Sequence, residues 1–447
     1  MSEDRYVAAI EISSSKIIAV VGKLRPTNQL DIIACEQDKG VEGVRYGVIQ
    51  NLEDTSLRIQ HLITSLQRRS AVYPREITGV YVGLSGRSLR AITTEVSKNL
   101  PDDTEITNEI IAELRAQALH TAIDSSLEVV DAIPRIFKVG KTETTSPKGM
   151  VGNSIKGTYD LIVCRPELKK NLIRTLHDKL GIRINGAMVT ALSTGQLVLK
   201  AEEKRLGCML VDMGSETTTV TIYKSGHLRY FATLPLGGRN ITRDIASLPT
   251  LLEDKAEDMK TSSGDAIARD SISSVNINGY KMSDVSNLVV ARSEEIVANV
   301  IEQIAYAGLT EKDLQGGIIC IGGGSQLRGM LELMGNLSGL TVRRGQLPSY
   351  IRIEDTKSPS VEVIEVASVL FTGATNNNAE CLVIPQREDL PINGESHPDD
   401  PRQDIEDVKA RKKEKKKKKG PSALDKWATR LSSFFTGNDD DEDDIID

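Results

Sequence analysis

The sequence predicts an α/β fold built from two related lobes. Two apolar strands each end at an acidic residue and pass through a short polar turn into a second strand, around Glu11 in Tyr6–Val21 and around Asp212 in Cys208–Tyr223. A third buried strand ends at glycines within Gly317–Leu327. Strand-like and helix-like segments alternate between these turns, which is typical of α/β proteins. Since each half of the pattern begins with an acid-tipped hairpin, the halves are expected to be related lobes.

The hairpin around Asp212 has the composition of a phosphate-binding turn. Gly214 lets backbone amides approach a ligand closely, and a carboxylate at the mouth of a buried strand can hold a metal ion through water. Taken alone, the pattern fits an ordinary hairpin with a turn aspartate equally well. The second hairpin and Gly322–Gly324 favour a binding site, since these glycines are expected to open a helix with bare amides at its positive end.

Length and composition exclude several classes of protein. A chain of 447 residues is expected to form two or more domains. Its net charge of −7 argues against a general nucleic-acid binder. Five scattered cysteines without a Cys-x-x-Cys pair suit buried thiols in a reducing cytoplasm better than disulfides or a zinc site. Neither a signal peptide nor an apolar run of about 20 residues is visible, so no membrane span is expected.

In the first half, apolar residues three or four apart indicate helices, and alternating β-branched residues indicate strands. The predicted elements are a β-meander over residues 1–34, a helix at Leu52–Arg69, a strand within Arg75–Leu89, a helix at Ile106–Ala122, a strand at Val129–Lys138, a loop at Gly149–Lys156, a strand at Thr158–Cys164, a helix at Pro166–Leu180, a strand at Ile184–Thr190 and a helix at Ala191–Glu203.

The second half continues the alternation after the Asp212 hairpin. The predicted elements are a glycine loop entering a helix at Pro235–Asp244, a helix at Leu251–Lys260, a polar hairpin-like stretch at Ser262–Lys281, a long helix at Val285–Tyr306, a helix from Gly329 to Leu337, a helix at Val361–Gly373 and a short strand at Glu380–Pro385. Glu257 and Lys260 fall on adjacent turns of one of these helices.

The composition changes after Pro385. Gln386–Asp407 is polar and short of aromatic residues, which predicts a disordered linker, and Lys409–Lys419 is nearly all basic. Ser422–Phe435 then has helical periodicity, with Ser422 and Asp425 as a capping box. Its apolar side chains share one face and its basic side chains flank it; these residues are Leu424, Trp427, Leu431, Phe434 and Phe435, with Lys426 and Arg430 beside them.

We interpret this terminal segment as an interfacial membrane helix. It holds the chain's one Trp and two of its five Phe, a concentration that a disordered tail does not need. Each large apolar side chain contributes about 1.5–3 kcal/mol on burial, and each nearby Lys about 1 kcal/mol at an anionic leaflet. A helix that docks on the globular part is the alternative, and a nucleic-acid segment is disfavoured because no aromatic residues interleave with the lysines. Asn438–Asp447 is acidic and should be repelled by anionic lipid.

The three turns resemble the phosphate-1, phosphate-2 and adenosine motifs of the superfamily that contains actin, heat-shock chaperones and sugar kinases. Within it, the chain resembles the FtsA family of bacterial cell division proteins, over roughly Arg5–Pro385. The most specific match is Gly79–Arg87, which introduces an insert where the family carries its 1C subdomain, of SHS2 type.

The resemblance implies an actin-like two-lobed ATPase fold whose parts follow the chain in order. They are lobe 1A at 1–78, subdomain 1C at 79–164, lobe 1A again at 165–203, subdomain 2A at 204–236, subdomain 2B at 237–309, subdomain 2A again at 310–361, lobe 1A at 362–385, a disordered linker with the polybasic run at 386–420, an amphipathic membrane-targeting helix at 421–436 and an acidic tail at 437–447.

The resemblance also implies ATP and Mg²⁺ as ligands. Glu11 and Asp212 are then the catalytic acids, which face Mg²⁺ through its waters. The residues implied around the nucleotide are Ser13, Ser14, Ser15 and Lys16 with Gly214, Ser215, Glu216, Thr217 and Thr218 at the phosphates, Gly237, Gly238 and Asn240 along the cleft, Glu257 and Lys260 at the ribose, and Gly322, Gly323, Gly324 and Ser325 at the adenosine.

Three positions depart from the superfamily pattern. Glu11 stands where Asp is common, Ser13 where Gly is common, and Ser215-Glu216 where Gly-Gly is usual. A carboxylate at Glu216 is expected to repel the terminal phosphate unless it points away or a metal ion intervenes. We therefore expect ATP binding with slow hydrolysis at most.

By the same resemblance, the chain is expected to oligomerise on the inner face of the cytoplasmic membrane at the division site and to anchor filaments of FtsZ there. The implied partners are the FtsZ C-terminal peptide on Gly237–Leu309, other division proteins near Gly79–Cys164, further copies of the chain and anionic lipid, with no nucleic acid. The rival hypotheses are a small-molecule kinase, which has no use for Lys409–Phe435, and a pilus-type actin-like assembly ATPase, which normally lacks the terminal helix.

Overall fold

The structure is a computed structural model that describes residues 4–268, 276–277, 279–355 and 363–385. The predicted linker, polybasic run, amphipathic helix and acidic tail after Gln386 lie outside the described residues. Among the helices of the described part, none combines the length and the hydrophobicity needed to cross a bilayer.

The strands of the described residues follow one another along almost the whole of that region. In chain order they are β1 (Arg5–Ile12), β2 (Lys16–Leu24), β3 (Leu30–Lys39), β4 (Val44–Arg45), β5 (Val48–Ile49), β6 (Glu76–Ile77), β7 (Gly79–Leu84), β8 (Arg90–Glu105), β9 (Glu128–Val139), β10 (Thr142–Thr144), β11 (Val151–Cys164), β12 (Arg183–Val189), β13 (Cys208–Met213), β14 (Thr218–Lys224), β15 (His227–Leu234), β16 (Asn276–Ile277), β17 (Tyr280–Lys281), β18 (Ile318–Ile321), β19 (Val342–Arg344), β20 (Ile351–Ile353) and β21 (Leu382–Val383).

Helices fill most of the connections between these strands. The α-helices are α1 (Leu52–Gln67), α2 (Asn108–Leu119), α3 (Pro166–Ile173), α4 (Thr190–Val198), α5 (Ala201–Leu206), α6 (Gly238–Ala246), α7 (Glu253–Ser263), α8 (Met282–Tyr306), α9 (Met330–Ser338) and α10 (Ile364–Asn376). A π-helical turn at Arg174–Lys179 extends α3, and short 3₁₀ turns occupy Glu311–Asp313 and Gly323–Gln326.

The two lobes repeat one sheet topology. In the first lobe, the antiparallel meander β3-β2-β1 is extended by the parallel strands β7 and β12, with β20 added beside β3. In the second lobe, the antiparallel meander β15-β14-β13 is extended in the same order by the parallel strands β18 and β19. The predicted α/β fold with two related lobes is confirmed, and in both lobes the acid-tipped hairpin forms the first two strands.

Burial of apolar residues explains why these segments form the elements they do. Strand β7 is buried along its whole length, and α10 is buried almost throughout. In the second lobe, α8 buries one face against a core that includes Met209, Val220 and Ile318. Buried area of this kind contributes roughly 25 cal/mol per Å² of apolar surface. The hairpin ends that meet at the centre of the molecule are therefore held by a packed core on each side.

The insert forms a four-stranded antiparallel sheet in the order β10-β9-β11-β8, with α2 packed on it. Phe137 and Tyr159 meet edge to face in its core, with ring centroids 5.9 Å apart. A single pairing of Arg90 with Ala232 joins β8 to β15, so the sheet of the insert continues into the sheet of the second lobe.

Several predicted elements differ from the structure. β8 was not predicted, because exposed polar residues such as Asp102 interrupt its apolar alternation. Residues 151–156, predicted as a loop, are the first half of β11. The predicted helix Ala191–Glu203 is two helices, since Leu199 is extended with ψ 132° between α4 and α5.

Strand pairing also moves two of the predicted domain boundaries. β7 pairs with β1 and β12 in the first sheet, so the insert starts after Leu84 and not at Gly79. β20, placed within subdomain 2A by the prediction, pairs with β3 of the first lobe. Both strands are short, and a run of three to six residues does not indicate which sheet it will join.

Candidate functional site

A cleft of about 1010 Å³ lies where the hairpins of the two lobes meet. Most of the residues singled out from the sequence line it. They are Glu11, Ser13, Ser14, Ser15, Lys16, Asp212, Gly214, Ser215, Glu216, Thr217, Gly238, Glu257, Lys260, Gly322, Gly323 and Gly324. The fold therefore brings together three turns that are more than 300 residues apart between Glu11 and Gly322.

Four of the residues singled out are not part of the cleft lining. Thr218 is buried and donates its hydroxyl to the carbonyl of Leu236 at 2.8 Å. The Asn240 side-chain oxygen accepts from the Gly237 amide at 3.0 Å, which caps α6. Ser325 is buried and donates to the carbonyl of Gly322 at 2.7 Å. These hydrogen bonds fix the conformation of the turns, and the groups that make them do not line the cleft.

The first phosphate-type turn, Ser13–Lys16, is closed by its own hydrogen bonds. The Ser13 amide donates to the carbonyl of Lys16 at 2.9 Å, and the Ser13 hydroxyl donates to the same oxygen at 2.8 Å. A serine in place of glycine thus braces the turn. Ser14 is buried, and its hydroxyl accepts from the amide of Gly47 at 3.0 Å.

The second turn is held from the opposite side by the start of α6. The amides of Gly238 and Arg239 donate to the carbonyls of Gly214 and Ser215 at 3.0 and 2.7 Å. A side chain at Gly237 would place its Cβ 2.5 Å from the Ser215 carbonyl oxygen, so only glycine allows this approach. The first amides of α6 are consequently committed to the turn.

Two half-buried carboxylates, Glu11 and Asp212, and the buried carboxylate of Glu365 lie near one another in the cleft. Burial and the neighbouring Asp212 raise the pKa of Glu11 to about 8, although Lys16 lowers it. Burial raises the pKa of Asp212 to about 6, and Lys16 again opposes the shift. Glu365, in the first turn of α10, is buried beside both acids, and its pKa lies well above the ordinary value because of burial and their charges. Without a cation these acids tend to keep their protons, and a bound cation would favour their ionised forms.

Glu365 was not predicted as a site residue. Its signal in the sequence is a single carboxylate within the otherwise apolar run Val363–Leu370. A charged residue that is buried without lying on a polar helix face is a candidate functional group.

The ribose-side pair forms a tight polar cluster with a threonine that was not predicted. The Lys260 ammonium donates to Glu257 Oε2 at 2.7 Å, to Thr242 Oγ1 at 2.9 Å and to the carbonyl of Gly238 at 3.1 Å. The Thr242 hydroxyl donates to the same Glu257 oxygen at 2.5 Å. Helices α6 and α7 are thereby joined at one wall of the cleft.

The glycine-rich third turn does not open an α-helix. Gly323–Gln326 is one short 3₁₀ turn, and α9 starts only at Met330. The predicted positive helix end at Gly322–Gly324 is therefore wrong. Gly322 has φ +81°, and a Cβ there would lie 2.6 Å from Asp212 Oδ1, so this turn sits directly on the tip of β13.

Glu216 is not the unpaired carboxylate that the sequence suggested. Its side chain is 1% exposed and lies among cations: Arg45 Nε at 2.8 Å, Arg243 Nη2 at 3.3 Å and Arg239 Nη1 at 3.6 Å. The backbone amide of Tyr46 donates to its second oxygen at 2.6 Å. These charge-assisted bonds neutralise the carboxylate and so offset the repulsion of a terminal phosphate that the sequence predicts at this position.

Comparison with known proteins gives two family matches. A family model described as "Cell division protein FtsA" matches residues 209–364, and one described as "SHS2 domain inserted in FTSA" matches residues 86–163. The second match starts after β7, at the same place as the insert defined by strand pairing. The two models cover the second lobe and the insert.

Curated relatives and solved structures agree with these matches. The cell division protein FtsA of Porphyromonas gingivalis is 29% identical over 342 residues, which are 74% of this chain and 71% of that protein. The FtsA of Bacillus subtilis is 28% identical over 367 residues, 79% of this chain and 81% of that protein. A solved PilM–PilN type IV pilus biogenesis complex matches with a TM-score of 0.58 at 16% identity, over 83% of this chain and 98% of that chain, which is a likeness of fold.

Proposed function

This chain belongs to the FtsA family and is a cell division protein of actin-like fold; from that premise we propose that it binds Mg-ATP in the cleft, oligomerises on the inner face of the cytoplasmic membrane and anchors the FtsZ ring there. The proposal of nucleotide binding is supported by one observation: two acid-tipped turns and a glycine turn line the same cleft. The proposal of membrane attachment is based on the sequence of the C-terminal tail.

The residues present fit a magnesium–nucleotide complex. Glu11, Asp212 and Glu365 surround one Lys in the cleft, an arrangement of three acids and one base that an added cation would balance. Among the described residues, no group of three or more His, Cys, Asp or Glu side chains is placed to hold a metal directly. By the family resemblance, Glu11 and Asp212 would hold Mg²⁺ through its water ligands. When bound, the ion neutralises part of the phosphate charge.

The remaining cleft residues bind and orient the nucleotide. Ser13–Lys16 and Gly214–Thr217 offer amides, hydroxyls and one ammonium to the phosphates from opposite lobes. Glu257 and Lys260 meet the ribose, and Gly322–Gly324 leave room for the adenosine because they carry no side chains. Closure of the lobes then couples nucleotide occupancy to the angle between them, which is how an actin-like subunit adjusts its assembly.

Hydrolysis at this site is slow at most. No described His or Cys lines the cleft, and the carboxylates Glu11 and Asp212 are committed to the cation. A steady-state phosphate-release assay with Mg-ATP checks this: the turnover expected is far below 1 per second, the lower end of ordinary enzymes.

Membrane attachment is assigned to the apolar face of the tail helix, Leu424, Trp427, Leu431, Phe434 and Phe435, with Lys426 and Arg430 near the headgroups. Trp427→Glu places a charge on that face and is expected to abolish sedimentation of the full-length protein with anionic liposomes. Trp427→Phe keeps the face apolar and should sediment like the wild type. Equal sedimentation of all three proteins would remove the membrane assignment.

The partners proposed are the FtsZ C-terminal peptide on the second lobe at Gly237–Leu309, other division proteins near the insert, and further copies of the chain. Fluorescence anisotropy of a labelled FtsZ C-terminal peptide measures the first of these interactions. Saturable binding is expected for the full-length protein, and absence of binding would exclude this surface as the anchor of the ring.

A further inference from the structure

The carboxylate of Glu216 is bound by residues from both lobes. Arg45 and the amide of Tyr46 belong to the hairpin β4–β5, which follows the first-lobe meander. Arg239 and Arg243 lie on α6 of the second lobe. One buried side chain in the second phosphate-type turn therefore connects the two walls of the cleft.

The same hairpin also holds the first phosphate-type turn. The amide of Gly47 donates to the Ser14 hydroxyl at 3.0 Å, next to the Tyr46 amide that donates to Glu216 at 2.6 Å. Tyr46 has φ +50°, a left-handed conformation that a tyrosine rarely adopts, and the guanidinium of Arg87 lies 4.6 Å from its ring centroid. The strained backbone at Tyr46 turns two consecutive amides toward the two turns.

We propose that Glu216 is a positioning residue that fixes the spacing of the two phosphate turns before nucleotide binds. As a consequence, Glu216 keeps the preference of the cleft for ATP over ADP small. The first statement is independent of any ligand. The second rests on the proposed nucleotide binding.

Charge explains the expected effect on nucleotide choice. Three guanidinium groups are already paired with the Glu216 carboxylate at distances up to 3.6 Å. A terminal phosphate would therefore meet little uncompensated positive charge at this end of the cleft. Because the Glu216 carboxylate joins the two lobes in the absence of nucleotide, closure of the lobes does not require the third phosphate of ATP. Without the carboxylate, the terminal phosphate becomes the group that gathers these cations.

Glu253 provides a matched control. Its direct ion pairs are with Arg239 and, at 4.0 Å, Arg243, both on the second lobe, while Arg45 of the first lobe acts on it only electrostatically, at longer range. Glu253→Gln therefore removes a carboxylate from the same arginines without cutting the connection between lobes. Arg45→Gln weakens the connection from its exposed side, where the Arg45 side chain is 40% accessible, and leaves the bond from the Tyr46 amide to Glu216 in place.

The test measures the distance between lobes by pulsed electron spin resonance on full-length protein without nucleotide. Spin labels at Gln60→Cys on α1 and Ala298→Cys on α8 occupy exposed positions on opposite lobes, while the five native cysteines are buried. Wild type and Glu253→Gln should share one narrow distribution. Glu216→Gln and Arg45→Gln should shift it to longer, broader distances, and addition of Mg-ATP should shift Glu216→Gln back.

Calorimetric titration then compares ATP with ADP in the presence of Mg²⁺. The ratio of the two dissociation constants should lie within about threefold of unity in the wild type. It should rise by about tenfold or more in Glu216→Gln, as expected for one charged hydrogen bond gained by the terminal phosphate.

The outcomes separate this inference from the proposed function. Unchanged distances in both Glu216→Gln and Arg45→Gln would overturn the positioning role, whatever the nucleotide data show. A wild type that binds neither nucleotide would overturn the proposed ligand and with it the discrimination, while the distance measurement would still decide the role of Glu216. A strong preference of the wild type for ATP would contradict the second statement alone.

Discussion

At the scale of single residues, the raised pKa of Glu11 is the most distinctive property of the cleft. It sits at the tip of β1, half-buried in the cleft wall, with Asp212 and Glu365 nearby and Lys16 as the cation beside them. A carboxylate in such surroundings holds its proton to unusually high pH. The free protein and the cation-bound protein should therefore respond differently to pH.

The stability of the protein without Mg²⁺ is predicted to fall as pH rises from 5 to 8. The pKa of Glu11 in the folded state is raised from 4.5 to about 8, so the folded state keeps a proton that the unfolded chain releases. Its contribution is full below pH 4.5, declines across that window and levels off above about 8. The expected slope is of the order of 1 kcal/mol per pH unit, measured by urea unfolding.

Glu11→Gln should flatten that slope, since it removes the titrating group and relieves its neighbours. Glu76→Gln, at an exposed position on β6, serves as the control and should leave the slope unchanged. A stability that rises with pH over the same range in the wild type would contradict the assigned burial of these acids.

Residues of the cleft were predicted from the sequence where a local pattern marked them. Glu11 and Asp212 end apolar strands, and a strand end with an acid is visible in a window of ten residues. The neutralisation of Glu216 was not predictable, because its partner Arg45 is 171 positions away and only the meeting of the lobes joins them. Glu365 was missed for a related reason: its neighbours in sequence are core residues, and its neighbours in space come from β1 and β13.

At the scale of elements, the glycine turn after β18 shows how backbone conformation builds the cleft wall. Gly322 combines φ +81° with a Cβ position 2.6 Å from Asp212 Oδ1 and from the Met213 carbonyl. Gly323, one residue on, has open space on the side where a Cβ would project. The two glycines therefore serve different purposes.

Gly322→Ala is predicted to destabilise the fold by about 1–3 kcal/mol or more, because a positive φ combined with ψ 164° is essentially restricted to glycine. Gly323→Ala should leave the free energy of unfolding nearly unchanged but weaken nucleotide binding, since its methyl group enters the cleft. Urea unfolding and ATP titration of both variants measure these effects. The account of the turn is wrong if Gly323→Ala proves the more destabilising of the two.

Elements were predicted best where apolar residues form a continuous or regularly spaced run. The first meander, the hairpin β13–β14 and α8 were predicted in this way, whereas β15 was not predicted and β8 was hidden because one face of this strand in the insert is exposed and polar. The split between α4 and α5 at Leu199 and the short turn at Gly322 depend on what packs against them. Such boundaries follow from tertiary contacts that a sequence window does not contain.

At the scale of the whole molecule, the repeat of one sheet order in both lobes gives the cleft its two matching walls. The hairpins β1–β2 and β13–β14 open sheets of the same topology, so their acid tips come together when the lobes face each other. The insert extends the sheet of the second lobe through β8 and β15.

The acidic end of the chain is predicted to weaken membrane attachment. Asp439–Asp444 follows the proposed membrane helix directly and is repelled by anionic lipid. Its deletion should strengthen sedimentation of the full-length protein with anionic liposomes and leave neutral liposomes unaffected. An unchanged affinity would show that this run does not act at the membrane surface.

The central claim is that the two acid-tipped turns close around one magnesium-bound nucleotide. Calorimetric titration of ATP into the full-length protein, with and without Mg²⁺, and into Asp212→Asn tests it most directly. The account predicts one site per chain, strict dependence on Mg²⁺, and a loss of affinity of about 10–100-fold in the variant. Binding of equal strength without Mg²⁺, or in Asp212→Asn, would contradict it.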